Sequence, residues 1–387
     1  MSKRKNETII YVNFSPYENA GRILDYLLET FETVILFSFN FHKLGKKQKS
    51  SKIITYRNNQ ILSTHTLFQL PLDIPGSMVF ILLPIRSAII AVQVLWHSYF
   101  LKRRFSHIEY YFTVNAFTAW LGIVLKRLKT VNKTIFWVWD YYPPLHGSKI
   151  INLMRWLYWQ YDKASIVSDK LVFLNQRLLD LRKDIGILPQ SATYPIIPIG
   201  TKPQSVSHKT PQTIVLGLLG VQKKSQGLDL LFDNAELLTK TFPSMRLEVI
   251  GAGPDEQYFH KRAKETVLPT TFYGFLPQDK EIEKIISDWS IGIAPYVPEE
   301  GNVVYYTDPS KIKYYFSYGV PVITTRVFRF SEEIEKNEAG IIINYDINEF
   351  IDAIKKILSD YTTYSKNAKE VGNKYYYKKL YPEMFNV

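Results

Sequence analysis

The sequence predicts an α/β fold with two doubly wound domains, each a parallel sheet wrapped by crossover helices. Three observations lead there. Short β-rich apolar runs alternate with longer amphipathic stretches from one end to the other, the pattern of β–α–β units. The 387 residues exceed what one ordinary core organises. A stretch rich in Pro, Ser and Thr, "LPQSATYPIIPIGTKPQSVSHKTPQ", divides the chain near its middle and reads as a connection.

In chain order, the strands of the first domain are "TIIYVNF" (8–14), "TVILFSFN" (33–40), "IEYYFTV" (108–114), "TIFWVWD" (134–140) and "KLVFL" (170–174). Those of the second are "TIVLGLLG" (213–220), "RLEVIGAG" (246–253), "TTFYGFL" (270–276), "IGIAPYV" (291–297), "VPVITT" (320–325) and "GIIINY" (340–345). Each is rich in β-branched or aromatic residues, as strands buried in a parallel sheet require. The first domain is expected over 1–198 and the second over 199–360, with a helical tail, 361–387, packing back on the first. Ligands of open parallel sheets bind beyond the carboxyl ends of the strands, so the expected site is a cleft across which the two domains face each other.

Composition narrows the chemistry. Hydrophobic residues make up 46% and charged residues 22%, a globular balance. The absence of cysteine removes disulfides, thiolate metal sites and a thiol nucleophile together, and suits a reducing, cytoplasmic setting. Seven histidines are scattered without ligand spacing and no Asp-x-Asp occurs, so no metal site is expected. The net charge of +12 is lopsided: residues 1–198 hold 25 Lys and Arg against 12 Asp and Glu, a net +13, and the remainder stands at −1. The first domain therefore faces something anionic, for which nucleic acid, anionic lipid and a phosphorylated lipid substrate are the candidates. Nucleic acid ranks last, because no reading module is recognisable. The apolar run before Asn13 is too short for a signal-peptide core and reads as the first strand. "MVFILLPIRSAIIAVQVLWHSYF", 78–100, comes close to a membrane span, but Pro84 and Arg86 interrupt it.

The turns of the second domain carry the sharpest signals. "LGLLGVQKKSQGLDLL", 216–231, is a strand, a loop with Gly220, Lys223, Lys224 and Gly227, and a helix. Two lysines at a strand's carboxyl end suit a diphosphate, and equally a solvated basic turn. "LEVIGAGPDE", 247–256, sets Gly251 and Gly253 in a turn that lacks the third glycine of a dinucleotide fingerprint. In "FYGFLPQDKEIEKIISDWSIGIAPY", 272–296, the backbone near Gly274 and Phe275 is placed to read a nucleobase edge. In "YTDPSKIKYYFSYGVPVITT", 306–325, Asp308 is a good N-cap and Pro309 suits the first helical position, which leaves the Ser310 and Lys311 amides at the positive end of a helix. With the Lys311 ammonium they would hold a diphosphate; a capped helix with a surface lysine is the other reading.

In this order the pieces resemble the nucleotide-sugar domain of GT-B fold glycosyltransferases of the family 4 type. That family's glycine turn with basic residues, "GxGP" turn, "fxG" strand end, "apY/S" strand end and "PSKxxEYxxxGxPVI" helix all have counterparts between 214 and 325. In the first half, "NFSPYENAGRILDYLL" (13–28) is similar to the family's first glycine turn and helix, and "FWVWDYYPP" (136–144) sits where many members have His-Asp-x-x-Pro. The resemblance implies two Rossmann-like domains and transfer of a sugar from a UDP- or GDP-linked donor. It implies donor contacts at Lys223, Lys224, Gly251, Gly253, Gly274, Phe275, Tyr296, Ser310 and Tyr314, and acceptor-loop positions at Ser15, Asn19 and Gly21. The sequence departs from the pattern where Tyr306 and Tyr314 replace the paired glutamates of many retaining members, and where Trp139 replaces the histidine before the aspartate. Members lacking these residues include inverting enzymes of the xanthan glucuronosyltransferase type, so the stereochemical course stays open.

Glycosyl transfer needs a leaving diphosphate neutralised and an acceptor hydroxyl deprotonated. Without a carboxylate pair for a bridging metal, lysines and helix amides take the first task, Lys311 foremost, and no cofactor beyond the donor is expected. For the second, Asp140 at the carboxyl end of "TIFWVWD" is the candidate base, and capping the turn before Pro143 and Pro144 fits it as well. His146 and Glu18 are weaker candidates. Residues 78–104 with "LKRRF" (101–105), "LKRLKTVNK" (125–133) and "INLMRWLYWQYDKAS" (151–165) put basic residues beside aromatic and aliphatic ones. Such helices lie in an anionic membrane interface, or pack on the sheet with their basic ends in water. The expected acceptor is a polyprenyl-diphosphate-linked sugar or a glycan at the cytoplasmic face of the cell membrane, in surface polysaccharide or glycoprotein glycan synthesis. A non-catalytic subunit of the same fold and a sugar-nucleotide 2-epimerase are the alternatives. The epimerase would need acidic and histidine residues around the donor sugar, which the tyrosines and Trp139 do not provide.

Overall fold

The computed structural model describes residues 4–14, 17–40, 50–70, 78–105, 107–142, 147–204, 211–276, 279–298 and 303–386. The chain divides into two units, Met1–Ile199 with Tyr377–Val387, and Gly200–Tyr376. In the first, the strands are β1 (Arg4–Asn13), β2 (Phe31–Ser38), β3 (Lys52–Arg57), β4 (Gln60–Thr66), β5 (Tyr110–Thr113), β6 (Lys133–Val138) and β7 (Lys170–Phe173). They form one sheet in the order β4-β3-β2-β1-β5-β6-β7. The five strands read from the sequence are all present and parallel, and β3 and β4 add an antiparallel hairpin at one edge. Its two-residue turn puts Asn58 and Asn59 at φ 51° and 68°. Two successive left-handed residues match the twist of a hairpin, and Asn tolerates them where β-branched residues do not.

Inward-facing Ile10, Val12, Ile35, Phe37 and Tyr111 meet Phe117, Leu121, Ile90 and Val94 in one core of this unit. Ile90 and Val94 belong to the helix Met78–Phe105, the near-span of the sequence, which is therefore docked on the fold along one stripe. Among the described residues no helix is long and apolar enough to cross a membrane. An aromatic cluster receives the chain's last residues: Phe385 lies 5.5 Å from the rings of Tyr26, Phe31 and Phe112, and Tyr381 lies 5.3 Å from Trp137. The start of the Pro-rich connection also belongs here. Pro195 and Ile197 bond to Phe173 at the end of β7, extending the sheet's edge.

The second unit has β8 (Val215–Leu219), β9 (Arg246–Ile250), β10 (Thr270–Gly274), β11 (Ile291–Ala294), β12 (Val322–Thr325) and β13 (Gly340–Ile343), in the order β10-β9-β8-β11-β12-β13. All six expected strands are present, and every pairing is parallel. The tail differs from expectation. Tyr361–Lys374 is a helix of this unit, with Tyr361, Tyr364, Ala368 and Val371 buried on one face at helical spacing. Ser365 donates to the Gly319 carbonyl at 2.7 Å, and the bare Cα of Gly372 rests on Phe316, so this helix is held by the helix Ser310–Ser317 and the strand after it. Only Tyr377–Val387 returns to the first unit.

Candidate functional site

In each sheet the direction of winding reverses once. The chain runs β8 to β9 to β10 on one side and β11 to β12 to β13 on the other, so the switch point lies between β8 and β11; in the first unit it lies between β1 and β5. Loops leaving the strands there diverge and open a crevice at the carboxyl edge.

At the switch point of the second unit, the loops after β8 and β9 are stitched into one floor. A Cβ on Gly251 would stand 1.9 Å from the Gly220 carbonyl oxygen, at a φ of 130° that L residues rarely adopt, so no other residue lets the loops approach this closely. Gln222, fully buried, donates from Nε2 to the Gly251 carbonyl at 2.7 Å and from its amide to the Ala252 carbonyl at 3.2 Å. Gly253 packs on the Gln222 backbone. The Gly251 amide in turn bonds the Gly274 carbonyl at 2.8 Å. Gly274 serves differently: open space surrounds its missing side chain, and its φ of 67° is what requires glycine.

The helix Ser310–Ser317 is aimed at this floor by Tyr315. Its ring, fully buried, fills the space left by Gly292 of β11 and meets Trp289 at 5.6 Å, and its hydroxyl accepts the Leu219 amide at 2.8 Å. Lys311, four residues earlier and so on the same face, is thereby carried over the end of β8. Its Nζ donates to Gln226 Oε1 at 2.5 Å, lies 4.7 Å from the centre of the Tyr296 ring, and stands 3.3 Å from where a Cβ on Gly220 would be. All its partners are neutral; among the described residues no carboxylate supports it. Burial alone pushes its pKa down to about 7. A cation so desolvated gains most from an anion placed against it.

Asp308 departs from the expected cap. Pro309 takes the N-cap position, no side chain caps the helix, and the Asp308 carboxylate pairs instead with the buried ammonium of Lys313. Lys313 lies on the core face, 1% exposed, where a charge without a counterion costs more than an unmade cap. The amides of Ser310 and Lys311 therefore open the helix without a side-chain cap, as the first turn of any helix leaves them.

Other expected donor contacts fall at different distances from this centre. Tyr296 is buried under Lys311, and Phe275 is half-buried after Gly274. Lys223 is exposed on the loop; Lys224 turns its ammonium onto the Tyr258 ring, 4.1 Å from its centre. Tyr314 packs 5.7 Å from Tyr318 with its hydroxyl buried in the protein. Gln222, Gln226 and Tyr315 were not anticipated. Tyr315 had a signal, standing at i+4 from Lys311 before a Gly-Val-Pro-Val strand; the glutamines had none, since amides in a turn are ordinary.

In the first unit the loop after β1 carries the expected acceptor positions. Ser15 lies outside the described residues, as do Pro143, Pro144 and His146. The Asn19 side chain accepts the Asp25 amide at 3.1 Å, and Gly21 and Arg22 are both left-handed, with φ of 65° and 63°. Tyr381 donates to the Gly21 carbonyl at 2.5 Å, and Tyr11 to the Glu18 carbonyl at 3.2 Å. The Glu18 carboxylate accepts from Ser38 Oγ at 2.6 Å. Asp140 follows β6. Its Oδ2 accepts from the Tyr142 hydroxyl at 3.3 Å, and its carbonyl from Arg182 at 3.3 Å. Arg182 is itself buried in an ion pair with Asp162 at 2.7 Å, a pair the sequence reading missed. The signal was there: Arg182 follows Leu178 by four residues, on the apolar face of its helix. Burial raises the Asp140 pKa above its ordinary value, against the lowering pull of Tyr142 and Arg182. Among the described residues no three histidine or carboxylate side chains converge as a metal would need.

Residues 211–360 match the family described as "Glycosyl transferases group 1". No curated protein sequence matches the chain significantly. Solved structures with a similar fold include sucrose-phosphate synthase from Thermosynechococcus elongatus, 15% identical with a TM-score of 0.65 over 98% of this chain and 97% of that one. A UDP-forming α,α-trehalose-phosphate synthase from Burkholderia xenovorans is 11% identical, with a TM-score of 0.66 over 98% and 99%. Anabaena HepE in complex with UDP-glucose is 12% identical, with a TM-score of 0.65 over 97% and 98%. Residues 211–360 thus resemble the group 1 glycosyl transferases, and the chain has the GT-B fold.

Proposed function

We propose that this protein is a glycosyltransferase that takes a sugar from a UDP- or GDP-linked donor, without a metal, and moves it to a polyprenyl-diphosphate-linked or glycan acceptor in the synthesis of a surface polysaccharide or glycoprotein glycan. The observation that carries the reading is Lys311 at the switch point, a desolvated ammonium whose partners among the described residues are all neutral, in the uncapped first turn of its helix. A nucleoside diphosphate supplies the missing anion, and the cation and amides take up the charge that grows on it as the glycosidic bond breaks. HepE, similar in fold, is described in complex with UDP-glucose, which favours uridine among the donors to test first.

The acceptor half rests on Asp140. Its raised pKa makes it a stronger base than a solvated aspartate, and Arg182 fixes its backbone through the carbonyl. The excess charge of residues 1–198 supports an anionic acceptor and a peripheral position on the cytoplasmic face of the cell membrane. The test is a melting scan with UDP, GDP and their sugars in the presence of a chelator. An upward shift with at least one of them is expected, by about 2.7 kcal/mol of stabilisation at a hundredfold excess over Kd. If no member of the panel shifts the transition and none is hydrolysed, the reading fails. Asp140→Asn should keep the shift and lose transfer by about a hundredfold or more.

A further inference from the structure

The helix Met78–Phe105 is apolar on two sides. One stripe, with Ile90, Val94 and the small Ser98, is buried in the first unit. On the other, Ile85, Val92, Trp96, Tyr99 and Phe100 are exposed, Trp96 at 62% and Val92 at 64%. These positions recur at three, four and seven residues, so they form one outward line rather than scattered exposure. A water-facing stripe of a docked helix is ordinarily polar.

At the carboxyl end of that line the fold gathers charge. Lys102 donates to the Lys129 carbonyl, which brings "LKRRF" of this helix beside "LKRLK" at the end of the helix Ala116–Arg127. Two basic tracts some way apart in sequence thus meet at one corner: Lys102, Arg103, Arg104, Arg127 and Lys129, around Phe100 and an exposed Leu128. Of the neighbouring cations, Lys126 is neutralised by Asp169 and Lys133 by Glu109. Arg103 does not point away from the apolar line; it donates to the Tyr99 hydroxyl at 2.7 Å and lies 4.8 Å over that ring. An aromatic body with a guanidinium laid against it fits the boundary between acyl chains and headgroups. The helix Lys149–Ser165, beside it, continues the pattern with Ile150, Leu153 and Trp156 exposed at three-residue spacing.

We infer that the outward stripe of Met78–Phe105 lies in the plane of an anionic bilayer, with its basic corner on the headgroups and Trp96, Tyr99 and Phe100 among the upper acyl chains. The inference deepens the proposed function by naming the element that meets the membrane, and it rests on that reading for the acceptor alone. The occupant is settled by charge: five cations with no ion-paired carboxylate among the described residues stand at one end of the apolar line, which suits anionic lipid and disfavours a second copy of the same surface. The helix cannot enter further, because Ile90 and Val94 tie its other face to the core. At 28 residues it runs for roughly 40 Å, so the stripe offers a long line of contact when the helix lies flat.

The test is sedimentation of the full chain with vesicles of phosphatidylcholine alone and with phosphatidylglycerol added. Binding is expected to the second and not the first, weakening steeply with salt. Arg103→Gln, Arg104→Gln and Lys129→Gln together should lower it by on the order of a hundredfold. Trp96→Ser with Phe100→Ser should lower it by about tenfold while leaving the UDP-induced melting shift unchanged. Should either variant fold poorly, quenching of the native protein's tryptophan fluorescence by lipids brominated along the chain reports insertion without substitution. No binding to phosphatidylglycerol vesicles, or binding that both variants retain in full, overturns the inference. A chain that binds vesicles but no nucleotide keeps the membrane element and loses the donor reading; one that binds UDP but no vesicles does the reverse.

Discussion

A lysine held by an amide oxygen and a ring face has given up hydration without gaining a counter-charge, and its titration has two consequences of opposite sign. In the folded chain Lys311 ionises at about 7, against 10.5 for an ordinary lysine. Between those values the unfolded chain holds the extra proton, so stability should rise with pH through this window and be lost as pH falls through about 7. Nucleoside diphosphate binding should run the other way, because only the charged form attracts phosphate. Calorimetric titration of UDP should show affinity falling above pH 7 by up to about tenfold per unit. Lys311→Met should flatten that dependence and weaken UDP by roughly tenfold to a hundredfold at neutral pH, as loss of a charge-assisted bond implies. The two glycines at the floor separate in the same way. Gly274→Ala pays only for its left-handed φ, about 1 kcal/mol, whereas Gly251→Ala also drives a methyl into the Gly220 carbonyl and should cost several times more.

At the scale of elements, the helix Ser310–Ser317 works through its far end. The Tyr315 hydroxyl accepts the Leu219 amide, so Tyr315→Phe leaves that amide without a partner at about 1–3 kcal/mol and should loosen the register that carries Lys311 to Gly220. The measurement is a pair: a lower melting temperature, and weaker UDP binding than the stability loss alone explains. Arg182 and Asp162 make the matching device in the first unit. Removing either charge alone should destabilise by about 3–5 kcal/mol, since the other stays buried without a partner, and Arg182→Met with Asp162→Leu should recover much of the loss in a urea melt. The hairpin β3–β4 shows why an element can be missed. Its strands alternate weakly and β4 is largely exposed, so hydrophobic periodicity was faint, although Asn58-Asn59 between them carried the turn chemistry in plain sight.

For the whole molecule, the decisive feature is that the chain comes back. Tyr377–Val387 belongs to the unit built by the first 199 residues, and Tyr381 holds the Gly21 carbonyl next to a left-handed Arg22, a conformation that costs on the order of 1 kcal/mol and persists only where its surroundings enforce it. Ending the chain at Tyr376 should therefore speed amide exchange in residues 17–26 and lower the melting temperature, while UDP binding to the second unit persists. Exchange confined to the chain ends would contradict this. The sequence by itself determined two doubly wound sheets, eleven of their thirteen strands, the glycine turns and the place of Lys311 at a helix start. Those follow from residues close in sequence: apolar runs for buried strands, and glycine where the backbone must turn left-handed or approach closely. Only the tertiary structure decided that Asp308 pairs with Lys313 rather than capping, that Gln226 and Tyr296 enclose Lys311, that Arg182 stands behind Asp140, and that two basic tracts meet at one corner. Each of these depends on which surfaces the crossovers bring together and on how far each charge is desolvated there, quantities that no local pattern of residues contains.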